Sequence, residues 1–329
     1  FGLPFAEHYG GSNSDFTTLC IAIEELARVD QSIAITLEAA VGLGINPIAR
    51  FGTEEQRERW LPDLVAGRTL AGFGLTEPGS GSDASTITTK ADLVDGTWII
   101  NGSKAFITNS GTAITSLVTI TAKTGPDEVS SIIVPADAPG FEVEPAYEKM
   151  GWHASDTHGL RFDDCRVPED HLLGTRGQGF RQFMSILDDG RIAIAALAVG
   201  VLQACLEETT AYAKDRTSFG QPIGSYQAVA FRIADIEVMA EAARLLTYKA
   251  AWLKDTGQPY RHAAARAKLY ATETAVSATR MATQVFGGAG FLDDTLVARH
   301  YRDAKVLEIG EGTSEIQRMV IARGLGLEV

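Results

Sequence analysis

Cysteine is scarce in this sequence, and long apolar runs are missing. The three cysteines, Cys20, Cys165 and Cys205, are odd in number and far apart, so the pattern excludes a disulfide framework or a zinc knuckle and favours a reducing compartment. The longest apolar run, Ile192 to Leu202, is well short of the roughly 18 residues that suggest a membrane span. We therefore predict no disulfide, no metal site and no membrane association.

Positive charge is also in short supply. The chain has 29 lysines and arginines against 42 acidic residues, a net charge of −13, and it contains no basic run. A protein that binds phosphate backbones needs a strongly basic face. The composition therefore argues against a nucleic-acid-binding protein.

Several common chemical motifs are absent. The Gly-rich segments have neither the G-x-G-x-x-G spacing nor the strand, turn and helix context of a dinucleotide-binding fold. The sequence contains no P-loop, no G-x-S-x-G elbow and no H-E-x-x-H pair, and its six histidines are scattered. These absences exclude the commonest nucleotide-binding, hydrolase and zinc-enzyme interpretations.

Apolar periodicity divides the 329 residues into three stretches, within the two or three domains that this length suggests. Residues 1–70 are predicted to form a helical domain, in which Thr53 and Gln56 are typical of a capped helix start. The chain begins with Phe1 rather than Met, so we expect this domain to be truncated at its start and any targeting peptide to precede it.

Residues 71–178 show the period of strands. The pairs Asp95-Gly96 and Asn101-Gly102 tolerate positive φ and are predicted to be turns between short strands. No long helix intervenes to connect parallel strands, so an antiparallel barrel or sandwich is predicted. The class of the whole chain is therefore α+β.

Residues 179–329 return to a helical period and are predicted to form a bundle. The run Ile192 to Leu202 is apolar on all sides, which is typical of a buried central helix. An apolar stripe follows from Val229 to Leu246, and a stripe of alanines runs from Ala264 to Ala282. Small side chains allow helices to approach closely.

Two clusters in loops carry residues suited to binding. The loop from Leu75 to Asp83 contains two glycines and two serines that expose N–H groups and hydroxyls, which suits a polar ring or a phosphate, although an ordinary surface turn explains it too. The loop from Asp215 to Pro222 places Arg216, suited to a pyrophosphate, beside Phe219, suited to a flat ring. The structural alternative is a solvated arginine and a phenylalanine that anchors the loop in the core.

Two further clusters lie at predicted helix ends. The segment from Gln284 to Gly290 closes a helix with three glycines, where a ligand can approach the backbone, or where a plain helix cap ends the chain segment. Ser314 and Gln317 fit a capping box, which places Glu311 in a Gly-flanked turn before a helix N-terminus. Glu311 is then either a base on a flexible arm or a carboxylate that interacts favourably with the positive end of the helix dipole.

Together and in this order, the clusters resemble the acyl-CoA dehydrogenase family, and the resemblance covers essentially the whole chain. One such motif is weak evidence, whereas seven in register are strong. Short-chain and branched-chain members are the most similar. The motifs are L-T-E-P-G-S-G-S-D from Leu75, N-G-S-K-A-F-I-T-N from Asn101, K-M-G-W from Lys149, D-D-G-R from Asp188, R-T-S-F-G from Arg216, Q-V-F-G-G from Gln284 and E-G-T-S-E-I-Q from Glu311.

The resemblance implies an N-terminal helical domain, a middle β domain and a C-terminal four-helix bundle, with FAD bound between the last two. It also implies a homotetramer built as a dimer of dimers, an acyl-CoA substrate and electron-transfer flavoprotein as the acceptor. The expected location is the cytoplasm of a bacterium, or the mitochondrial matrix if the source is eukaryotic.

The same resemblance assigns contacts residue by residue. Residues matching those that hold the flavin ring are Phe73, Leu75, Thr76, Gly81, Ser82, Phe106, Ile107 and Thr108. Those matching contacts to the pyrophosphate and adenine of a neighbouring subunit's FAD are Arg216, Phe219, Gln227, Gln284, Gly287 and Gly288, and Thr313 and Glu315 also match FAD contacts. Residues matching substrate contacts are Ser82, Asp188, Asp189, Gly190, Arg191 and Gly312.

Glu311 matches the catalytic base of the family. The implied reaction is an α,β-dehydrogenation, in which Glu311 removes the α-proton while a hydride leaves the β-carbon for flavin N5. An α C–H is weakly acidic, so its removal needs hydrogen bonds to the thioester carbonyl. The resemblance assigns these to a flavin ribityl hydroxyl and the backbone N–H of Glu311.

Three positions separate this chain from various relatives. Gly310 stands where many carry Tyr, which should widen the acyl pocket and favour a branched or somewhat longer acyl chain. Phe106 replaces a common Trp but keeps a flat face for stacking. Gly190 occupies the position from which some relatives supply the base, and it has no carboxylate, so Glu311 is the only candidate.

Other functions share this fold, and the fold alone does not decide among them. An acyl-CoA oxidase or a flavin monooxygenase is the nearest alternative, although members that oxygenate tend to lack the Glu that this chain has. A nucleic-acid-binding member is disfavoured by the acidic charge. A degenerate subunit that keeps the fold without a cofactor is the remaining alternative.

Overall fold

The computed structural model describes all 329 residues, and its N-terminal part is helical. A π-helical turn, Ala39–Ile45, joins the second helix to the third. Thr53 and Gln56 form the predicted capping box, since each side chain bonds the backbone N–H of the other residue. The helices are α1 (Phe16–Val29), α2 (Gln31–Glu38), α3 (Asn46–Phe51) and α4 (Glu54–Val65).

The middle of the chain forms an eight-stranded sheet. Its hydrogen-bonded order is β6-β7-β3-β2-β4-β5-β8, and β1 pairs with β4. The strands are β1 (Leu70–Gly74), β2 (Lys90–Val94), β3 (Thr97–Thr108), β4 (Thr115–Gly125), β5 (Glu128–Pro135), β6 (Phe141–Ala146), β7 (Thr157–Pro168) and β8 (Leu172–Leu173).

Two predictions about this sheet are wrong in detail. Strands β1 and β4 are parallel rather than antiparallel, because strands β2 and β3 provide the long connection that we expected only from a helix. Asn101-Gly102 lies inside β3 and is not a turn. Gly102 has φ +148°, and the register with β7 shifts between Ile100 and Gly102, so the pair forms a β-bulge. The other predicted turn, Asp95-Gly96, does connect β2 to β3.

The sheet packs on an apolar core, in which Trp98 is the largest fully buried side chain. Side chains from β3, β4, β5 and β7 supply most of its volume, because alternate residues of each strand point to the same face. The core includes Trp98, Ile100, Ile107, Val118, Ile120, Ile132, Val134, Leu160, Phe162 and Val167.

The C-terminal part is helical. Residues 192–202 are buried throughout, as predicted, and so are all the alanines of the predicted stripe on α7. A short hairpin, β9 (Thr217–Ser218) and β10 (Gln221–Pro222), separates the first two helices. The helices are α5 (Gly179–Asp215), α6 (Gln227–Asp255), α7 (Arg261–Phe286), α8 (Leu296–Ala304) and α9 (Ser314–Gly324).

Two helical segments are long and apolar enough to cross a membrane by length and composition alone. The most apolar window of Gln31–Phe51 is 61% buried inside the fold, and that of Gly179–Asp215 is 78% buried. Buried core helices pass the same test, so these segments are weak evidence for a membrane span. All three cysteines are buried free thiols.

The chain divides into two compact units. The first, called the β unit below, comprises Phe1–Ser14, Thr36–Glu148 and Ser155–Gly190. The second, called the helical unit, comprises Asp15–Ile35, Lys149–Ala154 and Arg191–Val329. The division falls inside α5, between Gly190 and Arg191.

Candidate active site

A buried ion pair in the β unit holds the Gly-rich loop of residues 75–83 against strand β3. Lys104 Nζ donates to Glu77 Oε1 at 2.8 Å, and neither side chain is appreciably exposed. The same Nζ donates to the Leu75 carbonyl oxygen and to Thr121 Oγ1, each at 3.3 Å. Glu77 Oε2 accepts from the Thr88 backbone N–H at 2.6 Å. These bonds join the loop to two strands of the sheet.

Burial opposes the ionisation of both partners, and their mutual attraction counteracts it. Burial by itself would raise the pKa of Glu77, but the Lys104 ammonium and the hydrogen bonds to Glu77 outweigh it and lower that pKa to about 2. Burial lowers the pKa of Lys104 to about 8, and Glu77 limits the decrease. Both groups are therefore charged at neutral pH.

The end of β3 presents an aromatic ring to solvent. Phe106 has φ +61°, in the left-handed region, where the register with β7 shifts between Lys104 and Ile107. Its ring is 66% exposed and tilts against Tyr147, with the ring centroids 5.2 Å apart. An apolar ring held outward by a strained backbone indicates a ligand-binding surface.

The Gly-rich loop begins beside this ring. The Ala105 backbone N–H donates to the Thr76 carbonyl oxygen at 2.9 Å, which places the start of the loop next to Phe106. Gly79 and Gly81 face open space where a side chain would lie, and Ser82 is exposed. A flat group with polar edges can approach the backbone here. Thr108 is half-buried and Ile107 is buried.

Two predicted contact residues point into the β unit instead. Phe73 stacks on Phe183 with ring centroids 4.0 Å apart, and Leu75 belongs to the same buried cluster. Their side chains therefore pack in the core of the β unit and do not face a ligand.

Asp189 is also tied to its own unit. Its carboxylate accepts from Asn46 Nδ2 at 3.3 Å and from Arg50 Nη1 at 3.2 Å. The side chain therefore fastens α5 to α3. Asp188 is half-buried, whereas Gly190 and Arg191 are buried.

Glu311 lies on a left-handed turn in the helical unit, just before α9. Its φ is +53°, and that of Gly312 is +95°. An L side chain adopts this region at a penalty of roughly 1–2 kcal/mol, so surrounding contacts must hold Glu311 there. Both carboxylate oxygens of Glu311 are shielded from solvent. Strain of this kind at a buried carboxylate is characteristic of functional sites.

The predicted capping box at α9 is wrong by one residue. Thr313 has the extended backbone of an N-cap, and its Oγ1 accepts from the Ile316 backbone N–H at 3.3 Å. Ser314 is the first residue of the helix. Gln317 therefore does not reach back to the cap, and its Nε2 donates to the Gly312 carbonyl oxygen at 2.8 Å instead. Glu315 is exposed in the first turn.

The hairpin after α5 exposes a phenylalanine almost completely. Phe219, with φ +50°, and Gly220, with φ +82°, form the two-residue turn between β9 and β10. Phe219 is 95% exposed, so it does not anchor the loop in the core. Arg216 and Gln227, which flank the hairpin, are exposed too. An exposed arginine and an exposed phenylalanine suit a charged ligand with a flat ring.

The end of α7 offers accessible backbone. Gln284 is exposed in the last turn, and the helix ends at Phe286, which stacks on Tyr212 with ring centroids 4.0 Å apart. Gly287, with φ +61°, and Gly288 have nothing within 4 Å of the position that a side chain would take. The glycines therefore leave room for a ligand to touch the main chain.

Sequence reasoning missed four residues that hold these loops. The sequence patterns give no role to Glu77 and Lys104, although both lie within the motifs, and they place Gln317 in a cap. The motifs do not include Lys268 on α7. A lysine between Ala264 and Ala271 on a face of alanines is nevertheless a signal in the sequence, because buried lysines need a partner.

Three family models match this chain one after another, in the order of its helical, β and helical parts. The acyl-CoA dehydrogenase N-terminal, middle and C-terminal domain models match residues 1–68, 72–165 and 177–326. A probable acyl-CoA dehydrogenase of Bacillus subtilis, YngJ, is 48% identical over 98% of this chain and 86% of its own.

Two solved structures are similar along nearly the whole chain. Butyryl-CoA dehydrogenase from Megasphaera elsdenii has a TM-score of 0.96 and 43% identity, covering 99% of this chain and 87% of its own. A chain solved in work on the electron transferring flavoprotein of Acidaminococcus fermentans has a TM-score of 0.97 and 42% identity, with the same coverage.

Proposed function

Since the chain belongs to the acyl-CoA dehydrogenase family, we propose that Glu311 is the base of its reaction. The activity is the FAD-dependent dehydrogenation of acyl-CoA. The observation that carries the proposal is the solvent-shielded carboxylate of Glu311 on a left-handed turn. A base in that setting is positioned before substrate arrives, and it is kept from water.

In the proposed reaction, Glu311 takes the α-proton of the thioester and its backbone N–H donates to the thioester carbonyl. That hydrogen bond stabilises the negative charge that develops on the oxygen as the proton leaves. FAD, held by the residues named in the next paragraph, would supply the acceptor for the hydride that leaves the β-carbon. The product is the 2-enoyl-CoA. Six further residues are proposed to contact the substrate or shape its site: Ser82, Asp188, Asp189, Gly190, Arg191 and Gly312.

The residues proposed to hold FAD fit such a group in each unit. In the β unit, the exposed ring of Phe106 and the open backbone at Gly81 suit a flat flavin with polar edges. In the helical unit, the exposed Arg216 and Phe219 suit a pyrophosphate and an adenine ring. The other proposed contacts are Phe73, Leu75, Thr76, Ser82, Ile107, Thr108, Gln227, Gln284, Gly287, Gly288, Thr313 and Glu315.

We propose a homotetramer, in which the adenine end of FAD meets residues of a neighbouring copy. Support comes from α6, where Phe231, Val238, Leu245 and Trp252 repeat every seven residues and are all exposed. Such an apolar stripe on a surface helix is typical of a helix interface.

Light scattering of the FAD-loaded protein is expected to give the mass of four 35.2 kDa chains. Lysine in place of Val238 and Leu245 should lower that mass, because it puts charge on the apolar stripe. A monomer in the unaltered protein would contradict the proposed assembly.

The proposed substrate is a short acyl-CoA, branched or somewhat longer than four carbons. A side chain at Gly310 would have only the Val306 carbonyl oxygen nearby, at 3.5 Å, so the position has room that a tyrosine would fill. We expect Gly310→Tyr to lower kcat/KM for isovaleryl-CoA relative to butyryl-CoA by about tenfold, since one methylene in a pocket is worth about 1–3 kcal/mol. Gly310→Ala is the control, and an unchanged ratio in the tyrosine variant would refute the pocket assignment.

Electron-transfer flavoprotein is the proposed acceptor, supported by the similarity to the chain solved in the Acidaminococcus fermentans work. We propose a bacterial cytoplasmic location, supported by the bacterial relatives and the free thiols.

The test of the function is anaerobic bleaching of the FAD-loaded protein by a panel of straight and branched acyl-CoA thioesters. No bleaching by any of them would overturn it, and rapid reoxidation by oxygen would indicate an oxidase instead.

A further inference from the structure

A fully buried lysine lies next to the turn that carries Glu311. Lys268 is on α7, between the buried Ala264 and Ala271, and none of its surface is exposed. Its Nζ donates to the Gly312 carbonyl oxygen at 2.8 Å. An ammonium is unfavourable in such a place without a partner of opposite charge, so packing alone does not explain the residue.

Two buried donors converge on this single carbonyl group. Gln317 Nε2 reaches the Gly312 oxygen from α9 at 2.8 Å, and Lys268 Nζ reaches it from α7. Because Glu311 and Gly312 both have left-handed backbones, the turn needs contacts that fix its orientation. These two hydrogen bonds hold the backbone directly after Glu311 in place.

The charged groups around Lys268 come from four elements. Burial lowers the pKa of Lys268 to about 8, and the Glu311 carboxylate acts against that decrease. Arg191 on α5 lowers it further, whereas Glu308 before the turn and Glu273 on α7 raise it. Glu311 is the strongest of these charges, and the attraction is reciprocal, so the Lys268 ammonium favours the ionised form of Glu311.

We propose that Lys268 is a positioning residue for the Glu311 base, anchoring the turn through the Gly312 carbonyl and keeping the carboxylate ionised. The inference rests on the proposed role of Glu311. It assigns two separable effects to one side chain, a hydrogen bond and a charge. The charge has a signature that a merely structural lysine lacks, because it shifts the pH dependence of the reaction.

The experiment compares FAD-loaded Lys268→Met and Lys268→Gln with the unaltered protein. Lys90→Met, which removes an exposed charge on β2, is the matched control. The rate of anaerobic flavin reduction by butyryl-CoA is measured between about pH 5 and 7.5, where the Lys268 ammonium is charged. A second readout, independent of turnover, follows the Glu311 carboxyl by infrared difference titration, with Glu311→Gln to assign the band.

Both Lys268 variants should move two midpoints upward by about one pH unit: that of the rate against pH and that of the Glu311 carboxyl titration. One unit is the lower end of the effect of a nearby opposite charge. At a pH below the midpoint the rate then falls about tenfold. Lys90→Met should leave both midpoints in place. Lys268→Gln can still donate to Gly312, so it should lose less rate than Lys268→Met at the plateau.

Unmoved midpoints in both Lys268 variants would overturn the inference. Failure of both variants to fold or to bind FAD would also contradict it, because a positioning residue leaves the fold intact. The proposed function is tested separately. Flavin reduction by Glu311→Gln at the unaltered rate would show that Glu311 is not the base, whatever the result for the Lys268 variants.

Discussion

Glu311→Gln is expected to reduce its flavin about 10²–10⁴ times more slowly than the unaltered protein, the usual contribution of a positioned general base. Glutamine keeps the size and the turn but accepts no proton from the α-carbon. FAD content and acyl-CoA binding should persist, because the loops that we propose to hold them are unaltered. The measurement is stopped-flow absorbance at the flavin band after anaerobic mixing with butyryl-CoA.

The matched control for this variant is Glu237→Gln, which makes the same change at an exposed position of α6. It should reduce its flavin at the unaltered rate. If Glu311→Gln bleached as fast as the control, another group would have to be the base. A loss of FAD from Glu311→Gln would instead show that the carboxylate has a structural role.

Lys104→Met is expected to cause the largest loss of stability, about 3–5 kcal/mol in the free energy of unfolding, because it leaves the Glu77 carboxylate buried without its cation. The loop from Leu75 to Asp83 should loosen at the same time, so FAD affinity should fall. Urea unfolding of the apoprotein measures the first effect, and FAD titration measures the second.

The double variant Lys104→Met with Glu77→Gln is the control. Removing both charges should restore most of the stability, since replacing a whole buried ion pair is often nearly neutral. A single variant as stable as the unaltered protein would mean that the pair does not hold the loop.

The pH dependence of stability gives an independent check on the same pair. Glu77 has its pKa lowered to about 2 in the folded chain, against about 4.5 when unfolded. Its contribution is therefore fully present above pH 4.5 and is lost as the pH falls toward 2. The difference in the free energy of unfolding between the unaltered protein and Lys104→Met should therefore become smaller as the pH falls through that range.

Much of the fold could be predicted because local patterns agree with the tertiary structure. The run Ile192 to Leu202 and the α7 alanines are buried as their spacing indicates, and the Thr53 cap forms. The errors arose where one local signal serves two structures. Asn101-Gly102 suits a bulge as well as a turn, and the parallel pairing of β1 with β4 depends on contacts distant in the sequence.

The candidate site divides in the same way. Motifs locate Glu311, the loop at Gly81 and the loop at Phe219, because glycines beside a polar or aromatic residue are conspicuous in a sequence. The residues that hold them are harder to find. Lys268 and the Lys104 to Glu77 pair act through partners 27 to 44 positions away, and only folding brings those partners together.

The most direct test of the central claim is a crystal structure of Glu311→Gln loaded with FAD and butyryl-CoA, the variant in which substrate should survive. We expect the amide of residue 311 about 3.5 Å from the acyl α-carbon, the usual approach of reacting groups. A side chain at 311 turned to solvent, or a different carboxylate beside that carbon, would contradict the account.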